Sequence, residues 1–82
     1  MIEKNVVVRN EEGLHTRPAN QFVKLVKQFA SEVVIAKNGA EAPGKSLLKI
    51  MKLGVVQGDT VVLRCEGSDE QHAMEALEEI LS

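Results

Sequence analysis

Gly13-Leu14-His15-Thr16-Arg17-Pro18-Ala19 concentrates the side chains able to do chemistry. An imidazole is a competent nucleophile that is largely neutral near pH 7. Two residues on, Arg17 supplies a planar, permanent cation whose fork fits phosphate oxygens. Gly13 can adopt backbone conformations closed to other residues, which lets a loop approach a ligand or a partner closely. Pro18 suits the first turn of a helix, where no N–H is needed. His15 thus falls where a strand gives way to a helix. The first N–H groups of a helix lack internal partners and carry the positive end of its dipole, so an anion such as phosphate is favoured there. Together these residues point to a phosphorylatable histidine, with Arg17 stabilising the phosphoryl group. On spacing alone, a capping or surface histidine fits the same pattern.

The flanking elements must hold that joint. Ile2 to Arg9 alternates, with Ile2, Val6 and Val8 on one side, the period of a strand covered on one face. Lys4 interrupts the inner row, and its long side chain can snorkel out. Asn10-Glu11-Glu12-Gly13 is a polar turn. From Thr16 to Phe29, Ala19, Phe22, Leu25, Val26 and Phe29 form one helical stripe. Glu32 to Asn38 is rich in β-branched residues, and Asn38-Gly39 signals a hairpin into a short strand before Pro43-Gly44. Ser46 stands at an N-cap ahead of a short helix with Leu47, Leu48, Ile50, Met51 and Leu53, stopped by Gly54. Lys49 occupies the place where a capping box would want Glu. Thr60 to Glu66 alternates cleanly, with Val61, Leu63 and Cys65 inward. An S-x-x-Q capping box, Ser68 to Gln71, then opens a helix carrying Ala73, Leu77, Ile80 and Leu81. The order βαββαβα predicts an α+β fold: a single domain over residues 1–82, an open-faced β-sandwich whose four-stranded antiparallel sheet is covered on one face by three helices.

Composition narrows the function. Eighty-two residues with 44% apolar content, two Phe and no Trp or Tyr require a core of Val, Leu, Ile, Ala and Met. A net charge of −2 argues against a nucleic-acid partner, which would call for a basic field. The lone Cys65 reads as a small buried hydrophobe, and no Cys, His or carboxylate cluster has metal-ligand spacing. No metal or cofactor is expected. There is no apolar run of about 18 residues and no signal-peptide pattern. A cytoplasmic protein without membrane insertion follows as the expectation.

The segment Gly13 to Ala19 resembles the active-site signature of the HPr family, the histidine-containing phosphocarriers of the phosphoenolpyruvate-dependent sugar phosphotransferase system. Lys45-Ser46-Leu47-Leu48-Lys49-Ile50-Met51-Lys52-Leu53-Gly54 resembles the regulatory-serine region of the same family, at a separation that fits without a gap. The resemblance covers nearly the whole chain. It implies that His15 accepts a phosphoryl group, on Nδ1, from enzyme I and passes it to an enzyme IIA domain. It further implies that Ser46 is a target of the bifunctional HPr kinase/phosphorylase, beside its reading as a plain helix cap. The first two helices would form the docking surface, with Leu47 and Met51 as contacts and Lys24, Lys27 and Lys49 steering encounter inside a basic rim that includes Lys45 and Lys52. Thr16 departs from the alanine common at that place and receives no catalytic role. His72 reads as a surface residue.

Two other readings stay open: a regulatory paralogue of the nitrogen-linked branch, and a module of the same shape that acts only through protein contacts. A free-standing enzyme lacks support, because no second acid, base or metal site accompanies His15. A monomer fits a carrier that offers one face to successive partners.

Overall fold

In the computed structural model, which describes all 82 residues, the alternation of Thr60–Glu66 makes the centre of a sheet. Seven elements follow in order: β1 (Ile2–Val7), α1 (Thr16–Val26), β2 (Glu32–Lys37), β3 (Ala40–Pro43), α2 (Leu47–Lys52), β4 (Thr60–Glu66) and α3 (Glu70–Leu81). The strands lie in the order β1-β4-β2-β3, all antiparallel. Leu63 sits opposite both Lys4 and Ile35, and Cys65 opposite both Ile2 and Val33. This register puts Val61, Leu63, Cys65, Val33 and Ile35 on one face, where all are buried.

The helices close that face. Ala19, Phe22, Val23 and Val26 from α1, Ile50 from α2, and Ala73, Met74, Leu77 and Leu81 from α3 join the strand residues in one contiguous core. The sandwich read from the sequence is therefore the fold observed. Cys65 is fully buried, and burial pushes its thiol pKa up. Lys4 does snorkel: its Nζ donates to Glu78 Oε1 of α3 at 3.0 Å. On the open face, Arg64 pairs with Glu41.

Four details differ from the periodicity. β1 stops at Val7, two residues early, because Val8 N–H turns to Asp59 O and Arg9 N–H to Leu81 O. The α1 helix ends at Val26, where Gln28 and Phe29 donate back only three residues, to Leu25 O and Val26 O, and so tighten the last turn. The apolar stripes omitted Val23 and Met74, which the structure buries. Finally, the Ser68–Gln71 capping box does not form. Asp69 is the N-cap of α3 and makes no side-chain cap bond. Its carboxylate instead accepts from Ala30 N (2.8 Å), Ser31 N (3.0 Å) and Ser31 Oγ (2.5 Å). The helix starts one residue later than the box requires, with its N-cap carboxylate committed to the α1–β2 loop, and Gln71 turns to Glu75 instead.

Asn38 and Gly39 both have positive φ, 51° and 83°, the signature of the tight turn that matches strand twist. That turn fixes β3 at the sheet edge, and β3 in turn delivers Ser46 to the start of α2.

Candidate functional site around His15

The site begins with Gly13. Its φ is +60°, and a β-carbon there would overlap the Val55 carbonyl oxygen and lie 2.8 Å from Val56 Cα. Only glycine lets the β1–α1 loop lie this close to the α2–β4 loop. Leu14, buried beside it, donates its N–H to Val55 O at 3.1 Å. The next residue, His15, is thereby presented from a fixed backbone. Asn10 supports the turn by donating its amide to Gly13 O at 2.8 Å.

His15 is the N-cap of α1, extended (φ −74°, ψ −170°) and exposed, and its imidazole makes no capping bond. Its carbonyl accepts from Ala19 N at 2.9 Å. Pro18 brings no N–H, so the free donors of the first turn are those of Thr16 and Arg17, and neither has a protein acceptor. No carboxylate occupies that turn. Two uncompensated N–H groups and the dipole's positive end thus meet at one exposed nucleophile, with a guanidinium two residues further along the chain. Such a place favours a phosphoryl dianion over an empty site.

Around the imidazole lies a shallow depression of about 260 Å³ lined by Leu14, His15, Met51, Gly54, Val55 and Val56. Its far wall is held from below. Lys37 Nζ donates to Gly54 O (2.8 Å) and lies 2.8 Å from Asp59 Oδ2, which also accepts from Val56 N at 2.9 Å. The Lys37 ammonium and the Val56 N–H hold the Asp59 carboxyl below the usual carboxylate range.

The structure brings α2 beside this depression through Met51, which is 39% exposed. Leu47 is half-buried against the core, whereas Leu48 is 65% exposed, the most open apolar side chain of the helix. Leu48 lies nearly opposite the buried Ile50 at 100° per residue. Val56, also exposed, lines the same depression as Met51 and has no periodic signal because it sits in a loop. Ser46 caps α2 as expected, its Oγ accepting from Lys49 N at 3.3 Å.

Gln21 and Leu25 of α1 line a groove with Ala76, Glu79 and Ile80 of α3, so Asn20, Lys24 and Lys27 lie on the flank away from α3. Lys24, Lys27, Lys45, Lys49 and Lys52 are all exposed, and none is ion-paired. Six of the chain's ten cations, these five and Arg17, fall within α1, α2 and their immediate flanks. The near-zero balance conceals a basic side. His72 is exposed on α3, as expected.

A family model described as the PTS HPr component phosphorylation site matches residues 2–82. The chain belongs to the HPr family. The phosphocarrier protein HPr of Buchnera aphidicola subsp. Acyrthosiphon pisum is 46% identical over 82 residues, all of this chain and 96% of that protein. The crystal structure of HPr from Bacillus anthracis str. Ames superposes with a TM-score of 0.95 at 34% identity, covering 99% of this chain and 96% of that one. Crh of Bacillus subtilis, solved as a domain-swapped dimer, shares 38% identity over 99% of this chain and 93% of its own, with a TM-score of 0.78. A dimeric relative does not match the expected monomer. HPr-family membership makes the chain kin to the phosphocarriers of the phosphotransferase system. No helix is long and apolar enough to cross a membrane.

Proposed function

We propose that this chain carries a phosphoryl group on His15 between enzyme I and an enzyme IIA domain of a sugar phosphotransferase system in the cytoplasm, acting as a carrier and not as an enzyme. The observation that supports this reading most is His15 itself. It is exposed, without a capping bond, and set at a helix start whose remaining N–H groups lack acceptors. In the transfer, the P–N bond of the donor phosphohistidine breaks and its electron pair stays on the donor nitrogen. The lone pair of one His15 ring nitrogen forms the new P–N bond. Arg17 and the Thr16 and Arg17 N–H groups stabilise the added charge.

Partners meet the side bearing Leu48, Met51 and Val56, with Leu47 behind, inside the ring of Lys24, Lys27, Lys45, Lys49 and Lys52. An apolar centre with a basic rim suits acidic-rimmed partners. Phosphorylation of Ser46 by an HPr kinase/phosphorylase would add about two negative charges at the edge of that surface. The readout is altered docking, because an N-cap tolerates anionic charge.

Intact-mass analysis after incubation with phosphoenolpyruvate and enzyme I tests the reading. An acid-labile gain of one phosphoryl group that His15→Ala abolishes is the expected result. No gain with several competent enzyme I proteins would refute it and favour a module that works through contacts alone.

A further inference from the structure

Arg17 is not free in this structure. Its Nη2 donates to Glu12 Oε2 at 2.6 Å, and Glu12 is its one ion-pair partner. Glu12 is also tied to His15 directly, since its backbone carbonyl accepts the His15 N–H at 3.4 Å. The residue that closes the turn before the histidine therefore occupies the guanidinium that follows it. Gly13 and Leu14 lie between the two and are held by the contacts to Val55, which fixes the turn that carries both side chains.

A carboxylate beside an anion-binding nucleophile has a definite consequence. A phosphoryl dianion arriving on His15 competes with the Glu12 carboxylate for the same fork of donors. We propose that Glu12 is a positioning residue for Arg17, and that its competition for the guanidinium keeps the phosphohistidine less stable and readier to pass its group on. The inference rests on the carrier reading for its purpose, but the competition itself is a property of the unmodified chain.

Both side chains are largely exposed, 76% for Arg17 and 49% for Glu12, so the pair is worth little in water. Removing the competitor is expected to tighten anion binding by about 1.5- to 5-fold.

The experiment is a titration of the full chain with inorganic phosphate at constant ionic strength, followed by the NMR resonances of His15 and of the Arg17 side chain. Four proteins complete the cycle: wild type, Glu12→Gln, Arg17→Gln and the double variant, with far-UV circular dichroism confirming that each is folded. Glu12→Gln is expected to bind phosphate about 1.5- to 5-fold tighter than wild type, with the gain shrinking as salt rises and vanishing in the Arg17→Gln background. Equal affinity in wild type and Glu12→Gln, or a gain of the same size without Arg17, overturns the proposal. Transfer from enzyme I judges the carrier reading separately. A chain that shows the coupled gain yet accepts no phosphoryl group from enzyme I refutes only that reading.

Discussion

Replacing Gly13 by alanine should unseat His15 without touching it. At φ +60°, an alanine pays for the left-handed conformation with about 1–2 kcal/mol. The new β-carbon also overlaps the Val55 carbonyl oxygen and crowds Val56 Cα at 2.8 Å. Both are backbone atoms, which cannot rotate away as a side chain would. The loops must part, and the Leu14 N–H bond to Val55 O is lost or stretched, a further cost of about 0.5–1.5 kcal/mol. The sum is about 1.5–3.5 kcal/mol, which lowers the melting temperature of a domain this size by roughly 6–28 °C. Gly39→Ala is the control. Its φ is +83°, but a β-carbon there meets nothing within 4 Å, so it loses only about 1–2 kcal/mol. Far-UV circular dichroism suits the melts, since there is no Trp or Tyr. Phosphorylation by enzyme I should slow about tenfold or more in Gly13→Ala, because small displacements of a reacting group are expensive, and stay near wild type in Gly39→Ala. Equal destabilisation of the two variants, or an unchanged rate in Gly13→Ala, would refute the close approach of the two loops as the device that presents His15.

Three further outcomes follow from the same structure. Ser46→Ala removes a long cap bond of 3.3 Å and should cost about 0.5–1 kcal/mol, seen as a fall of a few degrees in melting temperature; no change would mean the cap is idle. Charge reversal of Lys24, Lys27 and Lys49 together should slow enzyme I phosphorylation about tenfold at low ionic strength and flatten its salt dependence, measured by stopped-time mass analysis; unchanged kinetics would remove the steering role. Asp69 has its pKa lowered first by the Ser31 hydroxyl and then by the Ala30 N–H, and Glu70 first by the Gly67 N–H. With folded pKa values below the ordinary 3.8 and 4.5, the unfolded chain binds more protons in that window. The stability these groups contribute is full above the ordinary values and lost as pH falls through the lowered ones. Melts between pH 7 and 2 should show that acid limb, and Asp69→Asn should make it shallower; an identical limb in the variant would count against the Asp69 contacts.

Much of this fold was legible because local signals agreed with the global one. The alternation of Thr60–Glu66 became the central strand with the same bounds, and Asn38-Gly39 became the turn it announced. His15, Arg17 and Ser46 could be placed at helix starts because capping and proline rules act within a few residues. What the sequence concealed depends on distance. Asp69 reaches 38 residues back to Ser31, and no local pattern distinguishes that from a capping box. Lys37 braces Gly54 and Asp59 across the fold, although each is unremarkable in its own segment. The greater exposure of Leu48 over Leu47 follows from which side of a single short helix meets the core, and six residues define that phase poorly. The Glu12–Arg17 pair joins a residue of the turn to one of the site, and side-chain rotamers decide whether the two meet.

Passage of a phosphoryl group through His15 is tested by following one such group from donor to acceptor. The chain is phosphorylated by enzyme I, separated from it, and mixed with an enzyme IIA domain while the intact masses of both proteins are recorded over time. Passage through His15 requires that the phosphoryl mass leave this chain and arrive on the enzyme IIA domain, and that His15→Ala never acquire it. A phosphoryl group that stays in place, or that is lost to water without reaching the enzyme IIA domain, would contradict it.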